Sequence, residues 1–296
     1  MQRLAFASLA ALAVAGCATI RGFTERETEG PPRKERIFAV TETNKLIAFN
    51  AGQPRKAAVV GSIAGMQPNE TLLGIDFRVA RGILYGIGST GRLYTIDTKT
   101  AQANPVGSGQ PIAFQFAGNE FGFDFNPVVD RIRFVSDTGQ NMRIHPDTGV
   151  AVDGNPNEDG VQMDARLAWA PQDPRADFRP PRLVGAAYTY NKQNDRITTN
   201  YAIDAQNGML VTQGSKEGVT PSVSPNTGQV FAVGSLGVSS FSKAHFDIAD
   251  ATGAAFAAIE SGTASRLYLV NLDTSTATFI GTIGGGEKVR GISVEP

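Results

Sequence analysis

The chain has 296 residues, 41% of them hydrophobic and 19% charged, with 33 glycines, 16 prolines and a formal net charge of -1. This is enough apolar material for a core, and the glycine and proline content favours many turns over long helices. Near-neutral charge without a basic stripe excludes nucleic acid as a partner, and one cysteine excludes an internal disulfide.

The chain opens on MQRLAFASLAALAVAGC. Arg3 supplies a short basic start, and Leu4 to Ala15 is an apolar run too short to span a bilayer. Small residues lead directly to Cys17, the lone thiol. This pattern resembles a bacterial lipoprotein lipobox. The resemblance implies cleavage before Cys17, its acylation, and attachment through several lipid chains, which anchor stably where one does not. The alternative is an ordinary signal peptide with a chance cysteine. Ala18 follows in place of the Asp that marks inner-membrane retention, so the expected location is the outer membrane, facing the periplasm. With Cys17 lipidated, thiol catalysis is excluded from the mature domain. Residues 18–35 are polar, mixed in charge and contain Pro31-Pro32. They read as a flexible tether. The expected organisation is a signal peptide over 1–16, a lipidated cysteine and tether over 17–35, and one folded domain over 36–296.

From Ile37 onward the chain reads as short alternating strands separated by polar turns. The stretch beginning GIDF at Gly74 matches the stretch beginning GFDF at Gly122, without a gap, at an offset of 48 residues. Gly74, Asp76 and Phe77 fall on Gly122, Asp124 and Phe125, and Thr90-Gly91 falls on Thr138-Gly139. Later parts of the unit recur as NKLIAFN, TNYAID and SRLYLVN, and its first strand recurs as VGAAYTY, HFDIAD and RGISVEP. A unit of three or four short strands cannot bury both sheet faces alone, so neighbours must stack. Radial stacking gives an all-β β-propeller. The final strand, Gly291 to Val294, has no blade after it, and the first ordered strand has no glycine-led strand before it. Their pairing would close the ring. Five blades result, or six if Ser222 to Leu236 is a degenerate blade. Two segments interrupt the rhythm: residues 107–120, and residues 153–182 with a short helical turn expected over Met163 to Trp169.

The combination of GIDFR, FGFDFNPVVDRIRFVSDTGQNMRIHPDTG, VGAAYTYN and the closing LYLVNLDTSTATFIGTIGGGEKVRGISV resembles the bacterial domain of unknown function DUF4394, grouped with the β-propellers. The resemblance covers about residues 36–296. It implies the fold and carries over no catalytic residue. A looser similarity, to NHL-type propellers, rests on Phe134 to Gly139 and Arg143-Ile144.

Asp76, Asp124 and Asp247 stand at matching places in three units. They are either a ring of channel carboxylates able to act as acid and base or to hold a metal, or acceptors for turn backbone groups that fix each blade. His245 leads a glycine-type strand and joins them as a catalytic candidate. Arg131, Arg133, Asn141 and His145 depart from the copy at Gly74 and are candidates for binding. Gly86 to Gly91 spells G-x-G-x-x-G, but between two strands it is a hairpin and not a dinucleotide loop. Asn155, Asn157 and Asp159 have the odd-position oxygen spacing of a calcium loop, with Arg166 where the closing Glu belongs. No cofactor is expected apart from calcium on that pattern. The sequence thus leads to a membrane-anchored binding or scaffold module for a protein or small-molecule ligand. The alternative is a hydrolase or lactonase-like enzyme using the channel carboxylates, with or without a metal.

Overall fold

The computed structural model describes residues 27–296; residues 1–26, including Cys17 and the lipobox expected around it, lie outside them. Five antiparallel sheets form the blades of a propeller. Blade 1 joins β1 (Arg36–Thr41), β2 (Lys45–Asn50) and β3 (Ala58–Ser62) to the last strand, β21 (Val289–Val294). Blade 2 is β4 (Leu72–Arg78), β5 (Ile83–Gly88), β6 (Leu93–Ile96) and β7 (Ala103–Pro105). Blade 3 is β8 (Phe121–Asn126), β9 (Arg131–Ser136), β10 (Asn141–Ile144) and β11 (Ala151–Val152). Blade 4 is β13 (Leu183–Tyr188), β14 (Asn200–Asp204), β15 (Met209–Gln213) and β16 (Gln229–Ser235), with β12 (Ala168–Trp169) on its outer edge. Blade 5 is β17 (Ala244–Ile248), β18 (Ala255–Ser261), β19 (Ala264–Val270) and β20 (Ala277–Thr282).

The ring closes where expected. β21 pairs with β1 in the register Ile37↔Val294 and Ala39↔Ile292, which removes a free edge at the axis. The segment that could have made a sixth blade instead supplies β16, the fourth strand of blade 4.

The apolar residues form five buried clusters, one at each junction between adjacent blades. Ile37 and Phe49 of blade 1 meet Phe256 and Leu267 of blade 5, and Tyr85 of blade 2 meets Phe123 and Phe125 of blade 3. Each face is therefore buried by the next unit, as the alternating pattern requires.

Two connections differ from expectation. Residues 163–167 are not helical; the chain runs extended into β12, which pairs in parallel with Gln229 and Val230 of β16. The cause is Asp164. Its buried carboxylate receives Arg133 at 2.6 Å and Arg143 at 2.7 Å, which pins this stretch across blade 3 in place of a free helical turn. Residues 27–35, expected in the tether, are seated on the propeller. The Glu27 carboxylate accepts from the N–H and hydroxyl of Thr282 at 2.9 and 2.8 Å, and Glu35 accepts from Thr252 Oγ1 at 2.7 Å. No helix among the described residues is long and apolar enough to cross a membrane.

Candidate functional site on the propeller axis

The innermost strands β4, β8, β13, β17 and β21 run in the same direction around the axis, and their residues fall into layers. At the start of the strands one layer reads Leu72, Glu120, Leu183, Lys243, Val289. Two residues on it reads Gly74, Gly122, Gly185, His245, Gly291, and two further on Asp76, Asp124, Ala187, Asp247, Ser293. The glycine layer exists because the blades approach closely there. A Cβ on Gly74 would lie 2.6 Å from Phe123 Cβ, and one on Gly122 would lie 2.8 Å from Ala186 Cβ.

The aspartate layer ties each blade to the next. Asp76 Oδ2 accepts from the Phe125 N–H of β8 at 2.8 Å, and Asp124 Oδ2 accepts from the Tyr188 N–H of β13 at 2.8 Å. Asp247 Oδ2 accepts from the Val294 N–H of β21 at 2.5 Å. Ser293 plays the same part in blade 1: its Oγ accepts from the Phe77 N–H at 3.1 Å and donates to Asp76 Oδ1 at 2.8 Å. At Ala187 the link is missing, and the Ile248 N–H turns to Asp247 Oδ1 at 2.6 Å. The repeating aspartates therefore bind the neighbouring blade's strand, not the turn groups of their own.

The three carboxylates also converge. One oxygen of each lies within 4.8 Å of the others, and all three side chains are buried. Burial pushes Asp76 and Asp124 well above the usual carboxylate range, with Asp247 and Asp76 respectively adding repulsion. Burial likewise lifts Asp247 to about 6. Near the ends of the strands it lifts Asp250 to about 7, with Asp247 contributing. Oxygen donors of this kind suit a hard cation. Five of the six oxygens already accept a protein hydrogen bond, however, leaving Asp124 Oδ1 without one among the described residues.

Two cavities open at the ends of the axis. The distal mouth, where the inner strands end, holds about 260 Å³ between Phe125, Pro127, Val128, Tyr190, Asp195 and Ile197. Its wall is the long β13–β14 connection, residues 189–199; the matching connections of blades 2 and 3 span only 79–82 and 127–130. Beneath it Arg78 is buried and paired with Asp130 and, at 2.5 Å, with Asp147, so its charge is already compensated. The proximal mouth, where the strands begin, is smaller, about 80 Å³, and strongly polar.

The remaining candidates are dispersed. His245 stands in the glycine layer; its Nε2 lies 2.9 Å from the Val289 carbonyl, and burial holds it neutral down to about 4. Arg133 and Asn141 are buried between blades 3 and 4. Arg133 donates to Asn141 Oδ1 at 2.8 Å, to Asp164 and to Asn226, while Asn141 Nδ2 donates to the Ala165 and Pro225 carbonyls. Arg131 donates to the Asp130 carbonyl at 2.8 Å, and His145 Nδ1 accepts from the Asp147 N–H at 3.2 Å. In the loop of Asn155, Asn157 and Asp159, Asn155 Oδ1 accepts from the Asn157 N–H at 3.3 Å, and the neighbouring Asp153 accepts from Asn155 and Gln162. Sequence reasoning missed Glu120, Lys243 and Arg290 at the proximal mouth. The signal was present: two of the five residues in the first layer are charged where the others are Leu or Val.

Several solved structures are similar at low identity. One is a chain of a nidogen/laminin complex, at 10% identity over 88% of this chain and 98% of that one, TM-score 0.46. Another is TolB from Acinetobacter baumannii, at 13% identity over 88% and 67%, TM-score 0.42. A third is a protein of unknown function from Bacteroides thetaiotaomicron VPI-5482, at 14% over 75% and 53%, TM-score 0.46. No curated protein matches the chain. The family of the domain of unknown function DUF4394 matches residues 45–293, and with that span of its ring covered, from β2 to the closing strand, this protein belongs to the DUF4394 family.

Proposed function

We propose that this protein is an exported, lipid-anchored propeller that acts as a binding module and seats its ligand at the distal mouth. The observation that carries the reading is the cavity of about 260 Å³ there, walled by the connection of blade 4, which is longer than those of blades 2, 3 and 5. Ligands favour such concave, mostly apolar sites on the loops of a rigid scaffold. The repeating aspartates, by contrast, are engaged in joining blades. The anchor rests on the lipobox at Cys17. A photoreactive amino acid at Val128, in the cavity wall, should yield a defined adduct in cells, and the same label at Val59, 59% exposed on β3, should not. Equal labelling from both positions would remove this reading. Labelling with a fatty acid should be lost in Cys17→Ser; retained label would remove the anchor.

One observation favours a second reading, an enzyme of hydrolase or lactonase type. It is the approach of Asp76, Asp124 and Asp247 to within 4.8 Å, with raised proton affinity. Elemental analysis of the purified protein, together with assays on lactones, esters and glycosides, decides it. No metal and no turnover would end the enzyme reading.

A further inference from the structure

The proximal mouth breaks the repeat in one place. Three of its residues replace what the other inner strands carry: Glu120 and Lys243 stand where blades 1, 2 and 4 have Val289, Leu72 and Leu183, and His245 stands in the glycine layer. All three line the same cavity of about 80 Å³, together with Arg290. Blade packing does not require them, since the other strands close without charge.

The cations of this mouth are unequally served. Lys243 Nζ faces Glu42 at 3.3 Å, Glu120 at 3.5 Å and Glu260 at 3.8 Å. Lys288 pairs with Glu260 at 2.9 Å. Arg290 has no carboxylate partner among the described residues. Its Nη1 donates to Thr71 Oγ1 at 3.3 Å, and its Nε is buried without an acceptor. A guanidinium left in this state lacks an anion, and its Nη groups suit a two-oxygen acceptor. Across the cavity, His245 donates from Nε2 to the Val289 carbonyl, so Nδ1 is left as an acceptor. Glu120 is pushed up to about 7 by burial, against the pull of Lys243 and with repulsion from Asp137 and Glu260. Near neutral pH it is therefore divided between a carboxylate that repels an anion and a carboxylic acid that does not.

We propose that the proximal mouth binds a compact carboxylate of two or three carbons bearing a hydroxyl, held at Arg290, with Glu120 taking up one proton as it binds. The carboxylate supplies the counter-charge Arg290 lacks, and the hydroxyl donates to His245 Nδ1. The cavity volume sets the size, since a water in the liquid occupies about 30 Å³. Groups facing Glu120 are Lys243 from blade 5, Glu42 from blade 1, Glu260 from β18, and Asp137, itself paired with Arg182 at 3.2 Å. Arg290 lies on β21. This inference is independent of the distal cavity.

The test is calorimetric titration of the full protein with lactate, acetate and inorganic phosphate between pH 6 and 8. Lactate should bind one to one and more tightly than acetate. Its affinity should fall by up to about tenfold per pH unit above pH 7, as one linked proton requires, and its binding enthalpy should change with the buffer's ionisation enthalpy. Arg290→Gln should weaken lactate at least tenfold, with Arg290→Lys recovering part of the loss, and Glu120→Gln should make the affinity independent of pH over this range. No saturable lactate binding by the unaltered protein, unchanged affinity in Arg290→Gln, a preference for phosphate, or an enthalpy blind to the buffer would each overturn the proposal. The buffer readout uses the unaltered protein, so a variant that fails to fold leaves the proposal testable.

Discussion

In blade 2, Tyr85 and Leu93 lie in the apolar junction with blade 3, and Thr95 follows on β6; the matching positions of blade 3 carry Arg133, Asn141 and Arg143. Both blades have the same glycine, aspartate and phenylalanine on the inner strand, and both aspartates reach the next blade's backbone. What the two share holds the ring. What differs holds an insertion: Arg133 and Arg143 converge on Asp164, whose side chain has no exposure, and Asn141 and Arg133 reach the turn at Pro225 and Asn226. Gln213 extends this network to Asn200, so the junction between blades 3 and 4 carries a buried polar network beside its apolar cluster.

The comparison is most sharply broken at Arg133. Arg133→Met leaves the Asp164 carboxylate buried with Arg143 alone and strips a donor from the Oδ1 atoms of Asn141 and Asn226. Removing one partner of a buried ion pair costs about 3–5 kcal/mol. Tyr85→Phe, at the matching position of blade 2, removes only a long hydrogen bond from Arg78 at 3.4 Å and should cost about 0.5–1.5 kcal/mol. Urea unfolding of the two variants measures the difference. Equal losses would mean that the buried network of blade 3 adds nothing beyond ordinary packing.

The shared frame can be tested in its glycine layer. Gly122→Ala places a Cβ 2.8 Å from the Ala186 Cβ and backbone nitrogen, so two main chains must part. Such overpacking costs about 1–3 kcal/mol. Gly74→Ala meets the Phe123 Cβ at 2.6 Å, an atom that no side-chain rotation moves, and should cost at least as much by the same unfolding measurement.

The frame was legible in the sequence because it repeats. Gly74 and Gly122 align without a gap, and the unpaired strands at the two ends of the chain announced the closure between β1 and β21. The roles of Arg133 and Asn141 were not legible, because their partners Asp164, Asn226 and Pro225 lie in non-repeating connections 31 to 93 residues away. The same distance defeated the helical reading of residues 163–169, where local pattern lost to a buried ion pair. The aspartate layer was visible as a repeat, but its acceptor role across blades was not, since that depends on the one-residue stagger between neighbouring inner strands.

Blades 2, 3 and 5 carry an aspartate in that layer where blade 4 carries Ala187, and pH separates them. The folded protein binds protons at Asp76, Asp124 and Asp247 above the unfolded carboxylate value of 3.8. Stability is therefore greatest at the acid end of this window and falls as pH rises through the folded values, by about 1.4 kcal/mol per pH unit for each proton released. Asp124→Asn keeps an acceptor for the Tyr188 N–H and removes a charge. It should flatten the fall between pH 5 and 8, and should be more stable than the unaltered protein at pH 8. Thermal unfolding across this range would count against the argument if stability rose toward pH 8 or if the variant followed the same slope.

The smallest change in stability is expected at the distal rim, where blade 4 departs from blades 2 and 3 by its long connection. Tyr190 is 42% exposed on that loop and belongs to no buried cluster. Tyr190→Ala should alter unfolding free energy by no more than about 0.5 kcal/mol, as for other surface positions away from structural contacts. The photochemical adduct formed from Val128 should nevertheless be lost, because the side chain closes the cavity over Phe125 and Pro127. A variant that kept the adduct would place the ligand elsewhere, and one that lost stability as Arg133→Met does would make this loop part of the frame.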